Sequence, residues 1–159
     1  MNPSDLYGAN FCTTSGALTA TGAETVYDTT VAIGFCVNGK AYSKDAVTDG
    51  ATPTTDTNTG VAFKTLTASQ GCVLVWCLNA SGTVSVAQSE VQSLDAAGNF
   101  IIAPEFPSIP DTLTPFAYQV LKAGSTAGTI TIGSSNWNAT GFTNAIVNVF
   151  TLPNRPQVA

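Results

Sequence analysis

The sequence contains no histidine and only five basic residues, Lys40, Lys44, Lys64, Lys122 and Arg155. Lacking histidine, the chain lacks the commonest general base near neutral pH and the commonest metal ligand, which excludes Ser-His-Asp and Cys-His catalysis. The basic residues are scattered, whereas displacing counterions from nucleic-acid phosphates takes clustered Lys and Arg. The same deficit excludes an anionic membrane surface as partner. Charged residues are only 9% of the chain, against about 25% in ordinary domains. Thr, Ser, Asn and Gly take their place, and the formal net charge is −5. Such a surface is a poor solubiliser of a free monomer and is better suited to being covered by partners.

Long apolar runs are missing too. None approaches the roughly 20 residues needed to cross a bilayer as a helix. The start, MNPSDLYGANF, has neither the basic residues nor the apolar stretch of a secretory signal, so the expected place is the cytoplasm unless a larger assembly carries the chain out. No glycine motif of the phosphate-cradling kind is present.

What is present reads as strand almost throughout. TVAIGFCV (30–37) is rich in β-branched and aromatic residues, Asn38-Gly39 supplies the dipeptide a type I′ turn demands, and KAYSK (40–44) returns, predicting a hairpin. CVLVWCLN (72–79) is a continuous apolar run expected to be buried on both faces, joined through NASG to TVSVAQS (83–89) in a second hairpin. Further strands are predicted at 61–66, 90–94, 100–103, 115–124, 128–133 and 144–152, and single helical turns at 42–50 and 66–71. The loop DGATPTTDTNTG (49–60) is expected on the surface. Pro104, Pro107, Pro110 and Pro115 make 103–115 an extended crossover rather than a central strand. The predicted fold is all-β, a β-sandwich or jelly-roll-like domain of eight or nine strands over 26–152, preceded by an N-terminal arm (1–25) and followed by a C-terminal tail (153–159).

Cys12, Cys36, Cys72 and Cys77 have no metal-binding spacing, and four small buried thiols are expected, with one long-range disulfide as the alternative. Cys72 and Cys77 lie an odd number of positions apart in one strand and so should face opposite ways. The acids fall mostly in turns, where Asp caps backbone amides. Glu24 with Asp28, and Glu105 with Asp111, are the nearest pairs for carboxylate catalysis, and Asp49, Asp56 and Asn58 offer oxygens on one loop without EF-hand spacing. No metal or cofactor is expected from them. Trp76 belongs in the core. Trp137, in SSNWNATGF, is either folded over a strand end or offered to a partner.

FCVNGKAYSK, DGATPTTDTNTGVAF, ASQGCVLVWCLNASGTVSVAQ, PEFPSIPDTLTPFAY and GSSNWNATGF with LPNRPQ cover most of 25–157. On these stretches the chain resembles bacteriophage virion structural proteins of the capsid decoration, or cement, type. The resemblance implies no active site. It implies a small β domain on the virion surface, bound to the outside of a major capsid protein shell assembled in the host cytoplasm, and acting as a homo-oligomer, a dimer or trimer. The expected contact residues lie in the arm, the tail and the strand ends: Leu6, Tyr7, Phe11, Trp137, Phe142, Leu152 and Arg155. The alternative is a receptor- or carbohydrate-binding module of a phage fibre or tail, using Trp137, Tyr42 and the 49–60 loop.

Overall fold

The computed structural model describes residues 9–23 and 25–157. They form an all-β body of three antiparallel sheets and contain no helix. Eleven strands are present: β1 (Phe11–Cys12), β2 (Leu18–Thr19), β3 (Val26–Thr29), β4 (Ile33–Val37), β5 (Lys40–Lys44), β6 (Val47–Ala51), β7 (Gln70–Asn79), β8 (Val84–Gln88), β9 (Gln92–Ser93), β10 (Leu113–Ala123) and β11 (Phe142–Asn148). The main sheet runs β11-β10-β7-β8, with β9 also on β7, and two three-stranded sheets run β1-β4-β5 and β2-β3-β6.

The main sheet is the centre because β7 and β10 are apolar on both faces, as strands covered from two sides must be. Every residue from Cys72 to Leu78 is inaccessible to solvent. One face carries Cys72, Leu74, Trp76, Leu78, Ala117 and Leu121 against residues of both small sheets, among them Tyr27, Ile33 and Phe35. The Tyr27 and Trp76 rings lie 5.1 Å apart in a tilted arrangement, a favoured aromatic geometry. The opposite face carries Val73, Val75, Cys77, Tyr118 and Val120 and is roofed by irregular chain, with Phe100, Phe106, Ile109, Val149 and Leu152 packed on it. Phe106 meets the Tyr118 ring edge-on at 5.1 Å. The proline crossover, through Phe106 and Ile109, is therefore part of the cover of this sheet face: proline cannot join a ladder, yet an extended proline chain can lie across one.

The hairpin at 33–44 forms as its turn dipeptide dictates, with positive φ at both Asn38 (49°) and Gly39 (75°). The β7–β8 hairpin is likewise in place. Cys72 and Cys77 face opposite sides of the main sheet, and all four cysteines are free and buried.

Several expectations are corrected. Residues 61–66 and 128–133 are not strands; they meet in one bridge, Leu66 to Ile130, Ala62 makes another to Thr55, and Phe100 only bridges Leu94. The segment expected to make a helical turn at 42–50 holds parts of β5 and β6, since β6 finds a partner in β3 and the Asp28 and Thr29 side chains accept from the Asp49 and Val47 amides. Pro115 lies inside β10, where the register with β7 shifts at a bulge. β11 reaches β10 only as far as Ala117, so at Pro115 the strand has a partner on one side, the setting in which a strand tolerates proline. The arm is not free within its described part. Phe11–Cys12 pair with β4, Leu18–Thr19 pair with β3, and Leu18 and Ala20 are core residues. The tail is docked as well: Pro156 is buried and the Gln157 amide donates to the Tyr118 hydroxyl at 3.1 Å.

Candidate functional site

The expected contact residues disperse over the body. Leu6 and Tyr7 lie outside the described residues. Phe11 is half-buried in β1, and Leu152 is half-buried in the cover of the main sheet. Phe142 and Trp137 are buried in the main core. The Trp137 indole N–H donates to the Val26 carbonyl at 2.9 Å, so this ring is folded over a strand end and offers no stacking platform. Its polar surroundings in the chain belong to a turn held by backbone bonds, the Ala139 amide donating to the Asn136 carbonyl and the Asn138 amide to that of Gly22, with the Asn144 side chain donating to the Trp137 carbonyl. Arg155 alone among the described five is well exposed, 4.0 Å from Glu105.

Large apolar side chains that do face solvent are Val31, Val61, Ile101, Ile102 and Phe150. Ile101 and Ile102 are adjacent and each 65% exposed. A tight turn presents them: Asp95 accepts from the Ala97 and Asn99 amides, the Asp95 amide donates to the Asn99 carbonyl, and the Ile101 amide donates to the Ser93 carbonyl. These bonds to the ionised form hold the Asp95 carboxyl below its ordinary pKa, the Asn99 amide foremost. Sequence reading took 100–103 for a strand, in which alternation would bury one of the two isoleucines. Alternation alone does not show that pairing ends at Phe100, which makes a single bridge to Leu94.

Beside Ile102 runs a cleft of about 510 Å³ between the 56–59 turn, the 88–92 segment and the 102–108 crossover. Its carboxylates Glu90 and Glu105 lie near cations, Lys64 at 2.7 Å and Arg155 at 4.0 Å. Asp56, expected on an exposed loop, is buried. Its Oδ1 accepts from the Gln88 amide at 3.0 Å, its Oδ2 from the Thr59 amide and hydroxyl at 3.1 and 2.9 Å, and the Thr57 amide donates to the Val86 carbonyl. One carboxylate thus fastens the turn along the outer edge of β8, using three of its roughly four acceptor sites in structural bonds. Among the described residues no three His, Cys, Asp or Glu side chains converge as a metal site would require.

Tyr42 is half-buried, stacked on Phe35 at 5.7 Å with the Lys40 ammonium 5.5 Å from its ring. It borders a shallow depression with Val37, Asn38 and Asn79. The thiols are inert by placement: burial pushes Cys72 and Cys12 up to about 12 and Cys77 higher still. Compared with family models, curated proteins and solved structures, the chain matches none.

Proposed function

We propose that this chain is a non-enzymatic decoration protein of a phage head, bound to the outside of the major capsid protein shell and stabilising it by contacts that bridge neighbouring subunits. The resemblance of its sequence to such proteins supplies the partner. The observation that carries the reading is the Ile101-Ile102 pair, adjacent and the most exposed of the described large apolar side chains, held out on a hydrogen-bonded turn from a body that carries little charge. Adjacent solvent-facing isoleucines beside a cleft give a small apolar anchor with a polar rim, the make-up of a protein contact. Repetition over a shell turns a modest contact into firm retention.

The test is co-sedimentation with assembled shells lacking the protein. Binding should saturate at a fixed ratio to capsid subunits, and the double variant Ile101→Ser/Ile102→Ser should lose at least tenfold in affinity, since removing two exposed apolar anchors does not touch the core. Absence of binding to shells, together with saccharide binding on a glycan array, would transfer the chain to the fibre or tail class.

A further inference from the structure

We propose that the outer edge of β11 is a self-association surface, on which a second copy of the chain adds its own β11 antiparallel about a two-fold axis. The Gly124 amide donates to the Gly141 carbonyl and the Val149 amide to the Phe116 carbonyl. With the β10–β11 register, the alternation of an antiparallel ladder then turns the backbone groups of Thr143, Ala145 and Val147 toward β10 and those of Asn144, Ile146 and Asn148 away from it. No described residue's backbone bonds to the backbone of these three on the far side; their side chains are engaged at two points, Asn148 accepting from the Leu18 amide and Asn144 donating to the Trp137 carbonyl.

Three other sheet edges, those of β8, β5 and β6, are defended. β8 is covered by the Asp56 turn. β5 carries Lys40 and Lys44, and β6 carries Asp49 at a positive φ of 52° next to Gly50. Charge and irregularity of these kinds keep an edge from pairing. β11 has seven residues, none charged and none proline. On a chain of net charge −5, that neutrality favours a second copy as occupant, because two identical acidic chains can meet along this edge without setting like charges against each other.

Centring the axis on Ala145 uses the most outward groups, pairing Asn144 with Ile146 and Phe142 with Asn148 in both directions. Ala145 then faces its own copy at a non-hydrogen-bonded position, where Cα atoms stand only about 4.5 Å apart. An exposed alanine is the size that spacing admits. The proposal shares with the functional reading only the expectation of an oligomer, and its test uses the free protein, so either can fail alone.

Sedimentation equilibrium should give twice the 16.3 kDa chain mass. Ala145→Cys should cross-link to a disulfide dimer under mild oxidation, since that spacing suits a disulfide and the native thiols are buried. Ile146→Pro removes an outward amide and should return the monomer. Ala145→Lys, at a site exposed in the single chain, should do so by like-charge repulsion and covers the case in which the proline variant fails to fold. A monomer at all concentrations, a trimer, or a dimer that persists in Ala145→Lys and does not cross-link through position 145 overturns the proposal.

Discussion

The indole N–H of Trp76 donates to Oε1 of Gln119 at 3.1 Å, and both side chains are wholly buried between the sheets. The Gln119 Nε2 has no partner among the described residues. Gln119→Leu therefore strands the indole N–H but also removes an unpaired amide, and a net loss of about 1 kcal/mol is expected. In a Trp76→Phe background the same change should be neutral or stabilising, because no donor is left to strand. Guanidinium unfolding of the four proteins checks this coupling; an equal cost in both backgrounds would show the bond to be energetically silent.

The thiols give a pH signature. A thiol whose pKa is raised by folding holds its proton in the native state after the unfolded chain has lost it, so stability falls as pH climbs. The affected window runs from about 9, the ordinary value, to about 12 for Cys12 and Cys72. Each thiol should cost up to about 1.4 kcal/mol per pH unit there, measurable by urea titrations at stepped alkaline pH. Native protein at pH 8 should resist a thiol reagent at all four cysteines, with labelling limited by unfolding.

Asp56→Ala should loosen the β8 edge. It removes an acceptor serving the Gln88 and Thr59 amides, and a loss of about 2 kcal/mol is expected from stranded donors to a charged group. Limited proteolysis should then cut within 56–61 faster than in the native chain. Asp56→Asn, which keeps one carbonyl oxygen, should lie between the two.

Gly71 and Gly98 should respond differently to alanine. A Cβ at Gly71 would stand 2.7 Å from the Leu121 carbonyl oxygen and 2.8 Å from the Phe100 ring, forcing β7 from β10 or the ring off its seat. A cost of about 1–3 kcal/mol is expected, as for overpacked cores. At Gly98 the space is open but φ is +81°, so only backbone strain of about 1 kcal/mol applies. Thermal unfolding of the two variants orders them.

Sequence periodicity revealed the two hairpins because each carries its own register, an apolar run folded back by a turn whose residues accept positive φ. It did not distinguish ladders from single bridges at Leu66 and Ile130, since alternation reports which side is buried and not how long a neighbour runs alongside. β6 was missed for a related reason: VTDGA has poor strand propensity and is held by the Asp28 and Thr29 side chains from a distant segment. The candidate contact residues are the least legible. Trp137 sits among polar neighbours in the chain yet is buried in space, and Ile101 and Ile102 look like core residues until the preceding turn lifts them off the sheet.

The seating of β7 against β10 also bears on how the chain is made. β7 ends at Asn79, whereas β10, which covers one whole side of it, begins at Leu113. On a ribosome adding residues from the N-terminus, the most water-averse segment emerges well before the strand that shelters it. For that interval the nascent chain presents an open, sticky ribbon, and a translational pause or a holding chaperone acting between those two points should govern how much of the product reaches the folded state.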